Sequence, residues 1–290
     1  MWAYRNSHGI VTRVMPRFRR SEFVLAAYFT YAAVVACSLH LAAPIALTTV
    51  CVNAVVLAAL FGFASAKQAP WISAARDFFP LPLVLLAYRE MGWFARPITE
   101  HSLEQGWLAI DHAVVPTLRW LVELAGPVFP SILEIAYSLA TPTPMLCIAI
   151  LYATGNQQRM DRFWFSFLVG AFTSYALFPY FPSEPPRTIF PLDNLPSYHT
   201  VFRQLNLEIL GTHGIHTSVF PSAHVSAEFG AAIGMYNAMA ERRWAWGTFV
   251  VLACLITVAT VYGRYHYAVD AIAGLGVSAF TWWFTRQKHS

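Results

Sequence analysis

The chain is short of charge. Only 12% of its 290 residues are Asp, Glu, Lys or Arg, against 57% hydrophobic, and the mean hydropathy is +0.48. A soluble domain carries about 25% charged residues, so this deficit excludes a soluble fold and marks a polytopic membrane protein. Phe23 to Ala66 holds no Asp, Glu, Lys or Arg at all. A crossing takes about 20 apolar residues, so this run accommodates two, with a turn near Pro44. No short apolar core stands alone before a small-residue cleavage site, which reads against a secretory signal.

Cysteine is scarce and scattered. Cys37, Cys51, Cys147 and Cys254 each stand alone in an apolar segment, without metal-ligand spacing or a disulfide framework. The expectation is no metal and no cofactor. Internal repeats and low-complexity segments are absent. The net charge of +4 is modest, and the basic residues sit at segment ends instead of forming one patch. Arg13, Arg17, Arg19 and Arg20 form an N-terminal arm that reads as a membrane anchor. No aromatic–basic domain surrounds it, so a nucleic-acid partner is not expected.

What is present is a series of apolar segments, and the fold class expected is an all-α membrane helix bundle. Eight candidate spans are predicted at roughly 22–41, 43–66, 71–90, 131–153, 163–181, 222–240, 244–262 and 266–284. The third is interrupted by Arg76, Asp77, Pro80 and Pro82. Residues 92–130 differ in kind. Leu103, Trp107, Ile110, Val114, Leu118, Leu121 and Val122 recur at helical spacing among charged residues, as in an amphipathic helix lying in the interface. Arg96, His101, Asp111 and His112 of this stretch are expected to face headgroups. The division is therefore an N-terminal transmembrane region (1–91), an amphipathic segment (92–130) and a C-terminal core (131–290).

Positive charge sets the expected orientation. Arg159 and Arg162, Arg242 and Arg243, and Arg286 with Lys288 fall on one side of the last four spans. Placing them in the cytoplasm puts both termini inside. The polar residues at the opposite span ends then gather on the extracytoplasmic face, periplasmic or luminal.

Those residues carry the chemistry. His266 and Asp270 are four apart at the start of the last span, so they share one helical face. The carboxylate can hold one ring nitrogen and leave the other free as a nucleophile; the plainer alternative is a pair that locks two helices together. Pro221-Ser222-Ala223-His224 opens an earlier span. Proline suits a helix start, and the free N–H groups there, with the Ser222 hydroxyl, suit an anion. His224 is placed to donate a proton. Arg187, behind Pro185-Pro186, offers a fork for two phosphate oxygens. Arg264 is either a second phosphate ligand or a headgroup anchor. His213 and His216, in the loop, read as bystanders, and Glu228, four residues after His224, as a group that tunes it or pairs across helices.

With these motifs, roughly residues 131–284 resemble the type-2 phosphatidic acid phosphatase superfamily of membrane phosphotransferases. The resemblance rests on Arg187, on Pro221-Ser222-Ala223-His224, and on His266 through Asp270 followed by Gly274. It implies that His266 attacks phosphorus and forms a phosphohistidine, Asp270 orients it, and His224 protonates the leaving group and then activates the acceptor. It implies that Arg187, Ser222 and Arg264 bind phosphoryl oxygens without a metal. Two positions depart from the family pattern: Tyr180 stands where a lysine is expected, and Thr260 where the third-motif arginine is expected. Pro-Pro-Arg, and Glu134-Ile135-Ala136-Tyr137 upstream, resemble the branch containing inositol phosphorylceramide synthases.

Charge points the same way. A phosphomonoester is nearly dianionic and gains from each added cation, whereas a phosphodiester carries one charge. A thinner cationic set favours a diester donor. The expected function is a membrane phosphotransferase moving a phospho-headgroup between lipids, its partners being membrane lipid substrates. A phosphatase acting on phosphatidic acid or a polyprenyl phosphate or diphosphate shares every site residue. A lipid-binding or transport protein is the reading from another class, and the nearly bare midplane speaks against it.

Overall fold

The computed structural model describes residues 16–286 except 40, 68, 95–97, 99, 216 and 218, together with the backbone of 3–5 and 11–13. Arg96, His216, Lys288 and the side chains of Arg13 and His213 thus lie outside the described residues. Apart from a short ribbon in which β1 (Ala3–Arg5) pairs with β2 (Val11–Arg13), the regular structure is helical. The chain divides into two compact units, Met1–Pro80 and Leu81–Ser290.

The first unit packs α1 (Arg20–Ser38) on α2 (Ala43–Ser65), followed by α3 (Pro70–Phe78). The charges that interrupt the third predicted span are paired. Arg76 donates Nε and Nη2 to the two carboxylate oxygens of Glu22, each at 2.6 Å, and Arg19 reaches Asp77 at 2.6 Å. Two of the residues that disturb the span pattern thus tie α3 to the start of α1. Buried ion pairs of this kind survive because every charge has a partner.

The second unit is built around α11 (Ala223–Met239), which is buried along most of its length. Around it lie α8 (Met160–Leu177), α12 (Arg243–Tyr262) and α13 (Ala268–Thr285), with α7 (Thr143–Ala153) beside them. Between membrane helices small residues allow backbones to meet, and α8 and α11 use this. A Cβ on Gly170 would lie 2.5 Å from the Ser226 carbonyl oxygen, and one on Gly234 would lie 2.6 Å from that of Phe163. Polar contacts add to the packing: Ser174 and Ser226 share a hydrogen bond of 2.8 Å, and Asn237 donates to Ser166 at 3.0 Å. The remaining helices of this unit are α4 (Pro80–Trp93), α5 (Ser102–Glu123), α6 (Val128–Leu139), the single turn α9 (Pro186–Ile189) and α10 (Val201–His213).

Two predicted spans are broken. Residues 71–90 divide into α3 and α4 at Phe79-Pro80, and 131–153 divide into α6 and α7 at Pro142. Phe79, before Pro80, keeps helical dihedrals, so the break follows from the proline ring, which removes a helix hydrogen bond and crowds the preceding turn. By length and composition four helices among the described residues can cross a membrane, or five if the α5–α6 pair, bent by 111°, is one span. The eight expected from hydropathy include α11, which has only 17 residues. α5 packs against α12 and α13, and its buried face includes Glu104 and Asp111 alongside Val115 and Val122.

Candidate active site

Two helix starts and one loop build the site. Ser222 caps α11: its Oγ accepts from the Val225 N–H at 3.4 Å, the usual way to satisfy a free first-turn donor. His224 is then the second helical residue. At the start of α13, Asp270 accepts from the Tyr267 N–H at 2.9 Å and Asp111 of α5 accepts from the Ala268 N–H at 2.8 Å. Ser222 N–H donates to the Asp270 carbonyl at 3.0 Å and joins the two starts. Gly274 makes this approach possible, since a Cβ there would sit 2.8 Å from the Ser222 carbonyl oxygen.

That junction places His266 Nε2 3.4 Å from His224 Nδ1. His266 Nδ1 faces two acceptors, the Val219 carbonyl at 3.0 Å and Asp270 Oδ2 at 3.3 Å. A nitrogen between two acceptors carries the proton, so Nε2 keeps its lone pair. The free nitrogen is the one that points at the second histidine. A phosphorus does not fit between nitrogens this close, so a phosphoryl group can react here only if the rings part.

Arg187 approaches from α9. Its Nη1 donates to the Tyr265 carbonyl at 3.2 Å and its guanidinium lies 5.6 Å from the centre of the Tyr265 ring. Burial lowers its ionisation from the ordinary value, and the hydroxyls of Tyr137, Tyr265 and Tyr88 oppose that shift. An arginine stays charged in proteins, so the shift marks a desolvated cation. Among the described residues no carboxylate is within ion-pair distance of it.

The structure thus brings His224, His266, Asp270, Ser222 and Arg187 together. Arg264 is directed elsewhere. It is fully buried, at φ +60°, and its Nη1 reaches Asp111 Oδ2 at 2.5 Å, with Asp193 3.6 Å from Nη2. Asp111 is equally buried and lies against this arginine, not among headgroups. His101 pairs with Glu104 at 3.4 Å and His112 with Asp193 at 3.2 Å. Trp107 stacks on Phe220 and meets Tyr267 edge-on, at 5.2 and 5.5 Å. α5 is therefore part of the frame of the site.

A second group of polar residues is not evident from sequence spacing. Glu134 of α6 is buried, and its carboxylate accepts from Tyr265 Oη at 2.6 Å, Asn206 Nδ2 at 2.8 Å and Arg203 Nη1 at 3.2 Å. One turn on, Tyr137 stacks on Tyr265 at 4.1 Å and on the His224 ring at 4.9 Å. A carboxylate in an apolar helix with an aromatic three residues later is a signal, but its partners lie about 70 and 130 residues away in sequence. Among the described residues no group of three or more His, Cys, Asp or Glu side chains is arranged to hold a metal ion.

The arrangement offers a desolvated nucleophilic nitrogen, a second imidazole beside it, and a cation with no carboxylate partner among the described residues. The comparison with family models matches residues 105–284, more than half of the chain, to the PAP2 superfamily. No curated protein matches, and no solved structure does.

Proposed function

Since the chain belongs to the PAP2 superfamily, whose chemistry is phosphatase or phosphotransferase action on phosphate esters, we propose that it is a lipid phosphotransferase that accepts a phosphodiester donor, in the manner of inositol phosphorylceramide synthases. His266 Nε2 attacks phosphorus in line with the departing oxygen, and the bond from phosphorus to that oxygen breaks. His224, protonated, gives its proton to the leaving alkoxide. Neutral His224 then takes the proton of an acceptor hydroxyl, whose oxygen attacks the phosphohistidine and breaks the P–N bond. Asp270 holds Nδ1 and offsets the positive charge on the phosphorylated ring. Arg187 neutralises the phosphoryl oxygens, with Ser222 fixing the helix start beside them. Positioning and preorganised charge carry such a transfer.

One observation carries the choice of donor. Three arginines belong to the segments that build the site, and two are matched by buried carboxylates: Arg264 by Asp111 at 2.5 Å and Arg203 by Glu134 at 3.2 Å. Of these three, Arg187 is left to balance substrate charge, which suits the single charge of a diester better than the −1.5 to −2 of a monoester near pH 7 (roughly, by analogy with phosphorylated side chains). Hydrolysis of a phosphomonoester lipid uses the same residues with water as acceptor and is the second reading.

The site is proposed to open on the extracytoplasmic face, with both termini inside. Supporting this, Arg159 donates to Glu241 at 2.7 Å, which joins the turn before α8 to the turn after α11. The histidines stand at the opposite ends of α11 and α13. Basic loops favour the cytoplasmic side.

The test is product analysis. Purified protein is given labelled phosphatidylinositol or phosphatidic acid, each with and without a lipid alcohol such as ceramide. The proposal expects headgroup transfer dependent on acceptor and abolished by His266→Ala. Rapid phosphate release from the monoester alone, unaffected by the alcohol, refutes it. Lipid binding that survives His266→Ala without any turnover points to the transport reading.

A further inference from the structure

Resting on that reading of the site, we propose that Glu134 is a specificity-determining residue: by neutralising Arg203 it sets the charge of the donor that the pocket accepts. Arg203 and Arg187 flank the same aromatic ring, with guanidinium carbons 5.7 and 5.6 Å from the Tyr265 centroid. Tyr265 is the residue next to His266, and the positive charge of Arg203 is felt at Arg187, so Arg203 acts on the site through its field, at longer range than Arg187. They differ in one respect. Arg187 donates to a backbone carbonyl, whereas Arg203 donates to Glu134 Oε1 at 3.2 Å as well as to the Gly263 carbonyl at 3.0 Å.

Glu134 is itself held so that its charge stays on Arg203. Oε2 is occupied by Tyr265 Oη at 2.6 Å and Asn206 Nδ2 at 2.8 Å, and Asn206 is fixed in turn by Ser138 at 2.7 Å. Four donors therefore converge on this carboxylate and its amide neighbour, with Glu134 2% and Arg203 5% exposed. Little water reaches the pair, so its field on the pocket is weakly screened. Removing the negative charge leaves Arg203 as a second uncompensated cation whose field reaches the reacting phosphorus. A dianionic monoester gains more from it than a monoanionic diester. One extra charge about 10 Å away, at an effective dielectric near 20, changes the relative rate of the two donors on the order of tenfold.

The experiment compares kcat/KM for phosphatidic acid and phosphatidylinositol on the same preparation of full-length protein at pH 7.5. A reduced folded fraction cancels from this ratio. Glu134→Gln is expected to raise the monoester-to-diester ratio by roughly tenfold. Arg203→Gln, which leaves Glu134 unbalanced, is expected to lower it and serves if the first variant does not fold. The double variant Glu134→Gln/Arg203→Gln restores neutrality and is expected to return the ratio to near the wild-type value. A ratio that stays put, or that moves the same way in both single variants, overturns the proposal and leaves Glu134 a purely structural group. The two readings fail separately: a wild-type protein that hydrolyses phosphatidic acid faster refutes the diester-transferase function. The sign change between the two single variants still decides the role of Glu134.

Discussion

Replacing Asp270 with asparagine separates two jobs that the carboxylate performs. It caps α13 through the Tyr267 N–H at 2.9 Å, and it faces His266 Nδ1 at 3.3 Å. The amide oxygen of the substituted side chain can keep the cap, so the fold should hold; Asp270→Ala loses the cap and about 0.5–2 kcal/mol with it. Where such an amide forces the wrong histidine tautomer, the loss in kcat reaches about 10⁴-fold. Here the tautomer has a second guardian. The Val219 carbonyl accepts from Nδ1 at 3.0 Å and continues to favour the Nδ1–H form. What Asp270→Asn removes is mainly the charge that offsets the phosphorylated ring. At 3.3 Å and an effective dielectric near 20, the attraction has an upper bound of about 5 kcal/mol. Part of it is recovered by the amide dipole, so a loss of about 10²- to 10³-fold in kcat is expected, roughly 3–4 kcal/mol. The assay is rapid-quench trapping of the acid-labile phosphohistidine from labelled donor, with melting in detergent as the control for folding. Activity within about threefold of wild type, well under 1 kcal/mol, would refute the electrostatic role. A loss as large as that of His266→Ala would refute the claim that Val219 preserves the tautomer.

Other contacts give shorter predictions. Arg187→Ala should raise KM and lower kcat for the donor, and Arg187→Lys should recover little, because a point charge replaces a planar fork; steady-state kinetics decide it. Asp111→Ala strands a buried Arg264 and should cost about 3–5 kcal/mol, while Asp111→Ala with Arg264→Met should recover much of that in a melting experiment. Gly234→Ala places a Cβ 2.6 Å from the Phe163 carbonyl oxygen and should destabilise by about 1–3 kcal/mol through overpacking, measured as a lower Tm. Tyr137→Phe keeps the stack on His224 and should retain activity. Tyr137→Leu loses roughly 0.5–1.5 kcal/mol of aromatic contact and should slow turnover more than it changes KM.

The histidines and the carboxylate that the structure brings together were visible in the chain because each belongs to a local pattern. His266 and Asp270 are four residues apart, although His266 precedes the Tyr267 cap of α13 and Asp270 reaches back to it from the first turn instead of sharing a helical face, and Pro221-Ser222-Ala223-His224 is a helix start with its cap. Helix positions were readable where hydropathy ran unbroken, as in α1, α2 and α12. Hydropathy was a poorer guide where prolines cut a run, at Pro80 and Pro142, because composition does not register a lost helix hydrogen bond. The fate of Arg264 was not readable at all. Two residues from His266 in sequence, it belongs beside the phosphate by proximity, yet a left-handed backbone turn at φ +60° carries it toward Asp111.

Residue order alone was enough to specify a helical membrane protein with two histidines and a carboxylate at helix starts, because few charges and short-range spacing suffice for both. Which arginines are paired with carboxylates was decided by packing. Asp111 and Glu134 come from α5 and α6, 153 residues from Arg264 in one case and 69 from Arg203 in the other. An ion pair over that separation exists only after the helices pack. The net charge around the histidine pair, unlike the presence of the pair itself, is therefore a property of the fold.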